Sequence, residues 1–203
     1  VGERAAIDWK SMQAIFKLYN FRLLCVIIFI GNGCFIGLLQ LLEKILQPKG
    51  ISSSTAGNIG AVMILAGMLG CIVIPAWSDK VMRRKPFLIL AATIAVPTIY
   101  LIGTLEKAAL IYVIGGALGF FLFSAYPLVL TFSEETTGPA LTGTATSILL
   151  LLGNGGGVVI TIIMESIKGA TGGPSGSFFQ AMIFIAFLFV LALLTAVRLR
   201  EDH

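Results

Sequence analysis

Charge is what this sequence has least of: Asp, Glu, Lys and Arg make up 12% of its 203 residues, against roughly 25% in an ordinary soluble domain. Twenty-four charges do not clothe a globule of this length in water, and 57% of the chain is apolar. Much of its surface must therefore meet something else. Histidine is absent but for the last residue, His203, and the three cysteines, Cys25, Cys34 and Cys71, stand singly inside apolar runs. With no CxxC and no His/Cys spacing, zinc and disulfide frameworks are excluded, and the thiols read as small packing residues. No Ser-His-Asp, Cys-His or paired-carboxylate set is available, so no enzyme, no metal and no cofactor is expected. Val1–Asn20 is polar and charged rather than apolar, which argues against a cleavable signal. A start at Val1 leaves open either a removed initiator Met or a missing upstream segment. The net charge of +4 is too small and too dispersed for nucleic acid.

What is present is long apolar runs. Six of them cover about Phe21–Leu46, Thr55–Trp77, Pro86–Thr104, Ala108–Phe132, Pro139–Glu165 and Phe178–Arg198. Each is long enough to cross a hydrocarbon core of roughly 30 Å as a helix. Only helices or closed barrels satisfy their backbone groups in lipid, and continuous runs without strict alternation point to helices. The connections are short: Gln47–Ser54, Ser78–Lys85, Leu105–Lys107, Ser133–Gly138 and Ser166–Ser177. Ahead of the first run, Met12, Ile15, Phe16 and Tyr19 recur at helical spacing, with Lys10, Gln13 and Lys17 on the other side. That pattern predicts an amphipathic helix in the membrane interface anchored by Trp9; the alternative is a plain extension of the first span.

Six spans put both termini on one side. That side collects Arg4, Lys10, Lys17, Arg22, Lys80, Arg83, Arg84, Lys85, Arg198 and Arg200; the other has Lys44, Lys49, Lys107 and Lys168. Ten basic residues against four place the termini and the Ser78–Lys85 loop in the cytoplasm. The expected organisation is a cytoplasmic amphipathic lead-in over 1–20, a six-helix transmembrane bundle over 21–198 and a cytoplasmic tail over 199–203. The membrane would be the plasma or inner membrane.

Glycine is shared unevenly. The first, second, fourth and fifth spans hold three, four, three and five glycines, whereas the third holds only Gly103 and the sixth none. The order rich, rich, poor therefore repeats. Small residues let helix backbones approach closely in lipid. Spans one, two, four and five are accordingly expected to pack tightly, and spans three and six to lie outermost against lipid. A repeat of three spans inserts its second copy upside down, the 3+3 inverted arrangement of transporter halves.

The loop after the second span reads Pro75-Ala-Trp-Ser-Asp79-Lys-Val-Met82-Arg83-Arg84-Lys85-Pro86. An aspartate followed four residues later by Arg-Arg-Lys on a short turn resembles the signature loop of the major facilitator superfamily. Asp79 stands where that family has its helix-end aspartate, and Arg83 and Arg84 where it has its basic pair. The family usually places glycine four before the aspartate and three after it; here Pro75 and Met82 occupy those places. The resemblance covers the entire chain in topology, with a specific motif of about a dozen residues. No Pro-Glu-Ser-Pro-Arg motif is present, and the lead-in resembles the segment before the family's seventh span. The chain thus resembles the C-terminal six-helix half of a twelve-span facilitator. Within that family, Tyr126–Gly138 distantly resembles the haem- and choline-exporter group.

The resemblance implies a secondary transporter moving a small organic solute by alternating access against an N-terminal six-helix half. That half would be the same chain upstream or a second copy. The different-class alternative is a non-transporting scaffold or accessory subunit that binds partner helices. For the gate, Arg83 or Arg84 is expected to pair with Glu134 or Glu135, beside Asp79, when the cytoplasmic side is closed. The competing reading makes Lys80–Lys85 an orientation signal only. No ionisable residue lies near mid-span, so a proton-coupled carboxylate would belong to the other half; otherwise the protein is a uniporter or uses another ion. Asn32, Gln40, Phe120 and Tyr126 are candidate substrate contacts, because the resemblance makes spans one and four line the cavity, and Asn154 in span five is a further candidate as a polar residue at mid-depth. Their alternative is helix–helix hydrogen bonding and core filling. Gly153-Asn-Gly-Gly-Gly157 lacks a following Lys-Ser/Thr and lies deep in an apolar run, so it reads as packing or hinge and not as a phosphate loop.

Overall fold

A computed structural model of the chain describes residues 9–172 and 178–201. Its elements are α1 (Trp9–Lys17), α2 (Tyr19–Leu46), a 3-10 turn (Gln47–Lys49), α3 (Ser53–Val81), α4 (Lys85–Thr104), α5 (Ala108–Thr137), α6 (Thr142–Gly172) and α7 (Phe179–Val197). Among the described residues, helices α2 to α7 are the six long enough and apolar enough to span a membrane. The fold is all-α, two inverted three-helix repeats.

The lead-in is a helix of its own. Leu18 is extended, with ψ 123°, and breaks α1 from α2, so the plain extension is not what forms. Ile15 is fully buried in a cluster that includes Phe21 and Leu88, with α1 packed against α2 and α6, while Trp9 and Phe16 stay exposed. Tyr19, expected on this amphipathic face, instead opens α2.

The helices run further than their apolar runs. Residues Ser78–Val81 belong to α3, Ser133–Thr137 to α5 and Ser166–Gly172 to α6. Polarity marks where a chain leaves lipid, but the hydrogen-bond ladder continues as long as each carbonyl still finds its N–H. The sequence-based loops were therefore too long: Glu134 and Glu135 sit in the last turn of α5, and Asp79 in the last turn of α3. Residues 173–177 of the Ser166–Ser177 connection lie outside the described residues.

Packing is dominated by three pairs, α3 with α5, α2 with α6, and α4 with α7. The inverted repeat exchanges spans one and four, two and five, three and six. That exchange turns α2·α6 into α5·α3 and leaves α4·α7 unchanged, so the pairing obeys the repeat. The glycines explain the first two pairs. A Cβ on Gly70 would lie 2.0 Å from the Phe120 carbonyl oxygen, and one on Gly119 would lie 2.0 Å from that of Met63. In the other pair, a Cβ on Gly156 would lie 2.5 Å from the Phe29 carbonyl, and one on Gly33 2.7 Å from the Gly156 backbone. Backbone thus meets backbone where side chains would hold helices apart.

One expectation needs correction. The glycine-poor spans are not the outermost in this bundle: 39% of the most apolar window is buried in both α4 and α7, but only 28% in α3. Ala95, Ile99 and Ile102 of α4 join Met182, Ile185 and Phe189 of α7 in the central core. Glycine marks where two backbones touch, not how deep a helix lies. Helix α3 presents Leu65, Met68, Leu69, Ile72 and Val73 to its surroundings, an apolar face suited to lipid.

Helix α4 lacks local caps. Arg84 at its N-cap makes no side-chain capping bond, and its first turn holds no acid. At the other end, Lys49 Nζ donates to the carbonyls of Ile102 (2.5 Å), Gly103 (2.8 Å) and Leu105 (3.0 Å). A distant cation thereby satisfies orphan carbonyls and complements the dipole.

The two helix crossings make a testable contrast. Gly119→Ala should lower the melting temperature of the purified protein, because its methyl collides with rigid backbone. Gly57→Ala, with nothing within 4 Å, should leave it unchanged or raise it by the helix-propensity gain of about 0.5–1 kcal/mol. Equal behaviour of the two variants would overturn the backbone-contact account.

Candidate functional site

One face of the α2·α6 pair is open and polar. On α2, Arg22, Val26, Phe29, Asn32, Ile36, Gln40 and Glu43 are the positions left exposed or half-exposed along one side. At about 100° per residue they fall within a stripe about 120° wide. On α6, Thr144, Ser147, Leu151, Asn154, Val158 and Thr161 form the matching open stripe. The two stripes are joined: Thr161 Oγ1 lies 3.2 Å from Gln40 Oε1, and Lys44 Nζ donates to Glu165 Oε1 at 2.5 Å. Exposed amides cost free energy in hydrocarbon unless partnered. This face therefore calls for water or another protein surface, unlike the apolar face of α3.

Beside the stripe lies a half-open niche of about 40 Å³ between α2, α4, α5 and α7. Asn32, Phe35, Phe123 and Tyr126 line it, with Leu122 and Phe189 behind. That volume holds about one water or a methyl-sized group, not a whole solute. Asn32 belongs to both features: it faces the niche, and a Cβ on Gly153 would lie 2.9 Å from its Nδ2.

The sequence-derived contacts thus divide. Asn32 and Tyr126 come together at the niche. Gln40 is on the open stripe, joined to α6 instead. Asn154 is also on the open face, and its Nδ2 donates to the Leu150 carbonyl of its own helix at 2.8 Å. Phe120 is elsewhere, at the α3·α5 crossing, with its carbonyl against Gly70 and its ring edge-on to Phe121. Phe35 and Phe123, whose rings stack at 5.4 Å, were not singled out from the sequence because aromatics in apolar runs carry no distinguishing signal.

The second cluster lies at the end that gathers the basic residues. The Arg84 side chain is only 10% exposed, whereas Asp79 and Glu135 are 62% and 51% exposed. Its Nη1 donates to Asp79 Oδ1 and, at 3.1 Å, to Ser78 Oγ. Its Nε and Nη2 both reach Glu135 Oε1, at 3.2 and 3.1 Å. One guanidinium therefore ties the last turn of α3 to the last turn of α5, the fork geometry that suits Arg and not Lys. Burial disfavours the charged guanidinium, but the bonds to Asp79 and Glu135 outweigh it and hold its pKa above the ordinary arginine value. A raised pKa contributes stability below the unfolded value and loses it only as pH rises through the folded one. At neutral pH the cation is thus fully present. Among the described residues Arg83 and Glu134 take part in no ion pair.

Comparison with known proteins agrees with this geometry. The family model for the Major Facilitator Superfamily matches residues 2–161. An uncharacterized protein of Archaeoglobus fulgidus is 34% identical over 192 residues, which are 95% of this chain and 85% of that protein. Choline/ethanolamine transporters are also similar: flvcr2b of Danio rerio is 28% identical over 91% of this chain, and human FLVCR2 28% identical over 92%. This chain spans 38% and 35% of those two proteins. It belongs to the major facilitator superfamily and forms one half of that fold.

Met82 carries a consequence of its own. It closes α3 in the left-handed conformation, φ 54° and ψ 34°, at the place where the family usually has glycine. A side chain there costs about 1–2 kcal/mol. Met82→Gly should therefore stabilise the protein by up to about 1 kcal/mol once the flexibility of glycine is deducted. Thermal unfolding of the detergent-solubilised protein reads it, and a lowered melting temperature would contradict the assignment.

Proposed function

We propose that this member of the major facilitator superfamily is the C-terminal bundle of a secondary transporter that carries a small organic solute by alternating access. The observation that supports this most directly is the polar stripe on α2 and α6. A helix bundle meant only for lipid has no use for exposed Gln40 and Asn154 beside half-exposed Asn32 and Thr161. A bundle forming one wall of an aqueous path does. The second wall is an N-terminal six-helix half, either upstream in the same chain or a second copy. Both termini are assigned to the cytoplasm on the basic-residue bias, in the plasma or inner membrane.

Asn32 and Tyr126 are the proposed substrate contacts, with Gln40 and Asn154 along the path. Phe120, held at a helix crossing, contributes shape. The wall around the niche is uncharged and mostly aliphatic, with Phe35, Phe123, Tyr126 and Phe189 as its aromatic members; those rings and the Asn32 amide suit a small amine or amino alcohol through cation–π and amide contacts. The choline/ethanolamine transporters among its relatives support that class. The reading is transport, not catalysis: the stripe offers amides and hydroxyls that bind and release, without a nucleophile–base pair.

On this reading, the Arg84–Glu135 and Arg84–Asp79 pairs close the cytoplasmic side, and breaking them accompanies inward opening. Arg83 and Glu134 are kept as flanking charges that meet the pair partners or lipid headgroups when the bundle moves.

The test is uptake of radiolabelled choline and ethanolamine, with a panel of uncharged solutes, into proteoliposomes holding the complete gene product. Saturable uptake of at least one solute is expected. Asn32→Leu should reduce it about tenfold, the loss of one buried polar contact, with unchanged membrane insertion. A correctly inserted protein that moves none of the panel and pulls down partner helices would establish the scaffold instead.

Arg84→Lys gives a further check of the gate. Lysine keeps the charge but reaches one carboxylate where the guanidinium fork reaches two. Uptake should fall about fivefold or more and not recover with pH. Wild-type uptake in this variant would remove the gating role.

A further inference from the structure

The last described residues do not trail into solvent. After α7 the chain turns tightly, with Leu199 N donating to the Ala196 carbonyl at 3.2 Å. The Leu199 side chain is buried in the same cluster as Ile15, Phe21, Leu24 and Leu88. Next, Arg200 and Asn20 exchange two hydrogen bonds: Asn20 Nδ2 donates to the Arg200 carbonyl at 2.7 Å, and Arg200 N donates to Asn20 Oδ1 at 3.1 Å. The Arg200 guanidinium lies 5.0 Å from the centre of the Tyr19 ring. Lys85 Nζ donates to the Leu199 carbonyl at 2.8 Å. Finally, Glu201 Oε1 accepts from the backbone N–H of Arg84 at 2.5 Å and of Lys85 at 2.7 Å.

These contacts supply what α4 lacks. Its own N-cap residue makes no capping bond, so its first N–H groups need an outside acceptor. Glu201, 117 residues further along, provides a carboxylate at the positive end of the helix dipole. The residue so capped is Arg84, whose guanidinium holds Asp79 and Glu135. The tail therefore bridges the start of α2 and the start of α4. It also borders a half-open chamber of about 380 Å³ lined by Tyr19, Asn20, Arg84, Glu135, Arg200 and Glu201, among others.

We propose that Leu199–Glu201 is a strap that holds the gate shut: Glu201 is a positioning residue that fixes Arg84 on its two carboxylates, and release of the strap accompanies opening of the chamber. The proposal rests on the transport reading for its purpose, but the strap itself is a property of the closed bundle. Three independent anchors, Asn20, Lys85 and the α4 N-terminus, hold a segment that no secondary structure would otherwise fix. Its loss frees Arg84 without touching the solute path.

The test uses the complete protein with Cys25, Cys34 and Cys71 replaced by serine or alanine and a reporter introduced as Thr136→Cys on the chamber wall. A membrane-impermeant thiol reagent is applied from the side of the termini. Glu201→Ala should raise the labelling rate about fivefold, the shift expected from losing one helix cap. Asn20→Ala, which cuts the other anchor, should do the same, and Glu201→Gln, which keeps an acceptor oxygen, should recover part of the closure. Combined with Glu135→Gln, the effect of Glu201→Ala should be less than the product of the two, because both act through Arg84. Unchanged labelling in folded Glu201→Ala and Asn20→Ala overturns the strap. So does a fully multiplicative double variant, which would make the tail a stabilising cap only. Labelling does not depend on a solute: if no uptake occurs yet labelling responds as stated, the strap stands and the transport reading falls.

Discussion

Everything in this bundle depends on two places where helix backbones touch. Lipid offers no gain from hiding one apolar side chain against another, so helices are held by close contact and by the few polar bonds that closeness allows. Gly70 and Gly119 bring α3 and α5 together, and Gly33 and Gly156 do so for α2 and α6. The inverted repeat makes these the same contact used twice. Because each crossing is backbone on backbone, it fixes the azimuth of each helix as well as its distance. Azimuth then decides which face stays open: α2 turned against α6 leaves Asn32, Gln40 and Glu43 on the open side.

The α4·α7 pair is the complement to this rigid frame. Its close glycine, Gly103, meets the Met182 side chain and not backbone; the pair packs through Ala95, Met182, Ile185 and Phe189, while α4 contains Pro97 in its interior. Its ends are held by charges from elsewhere, Lys49 at one terminus and Glu201 at the other. A helix capped by borrowed groups is coupled to whatever moves those groups. α4 thus links the turn after α2 to the tail after α7, on opposite ends of the bundle.

Much of this was legible in the chain and some was not, for identifiable reasons. Span number and the rich-rich-poor glycine order can be read because lipid enforces long apolar runs and small contact residues. Which glycine meets which carbonyl cannot, since Gly67 and Gly57 look alike in sequence, yet a Cβ on the first would meet Phe123 at 2.8 Å and one on the second would meet nothing. Helix ends were misjudged because Ser133–Thr137 is polar and still helical. The loop motif did reveal Asp79 and Arg84, where spacing and charge coincide. Glu201 was missed because a charged tail reads as solvated. The signal was there in α4, which starts Arg84-Lys85-Pro86 with no residue able to cap it.

The placement of the Arg84 cluster also says why an ion pair is used there at all. A fully buried pair broken on each cycle would strand an uncompensated charge at a cost of about 3–5 kcal/mol. Here only the arginine is buried, and both carboxylates are more than half exposed. When the pair parts, Asp79 and Glu135 are already in contact with water, and only the guanidinium must be rehydrated. Exposed pairs contribute little on their own, in the range of about 0–1 kcal/mol. Two of them converging on one cation, with Ser78 Oγ completing the fork, give a contact that is specific in geometry and shallow in energy. The gate proposed for this cluster, opening and closing repeatedly, would need that combination. Depth would only slow it, whereas geometry ensures that the two helix ends meet in one register each time.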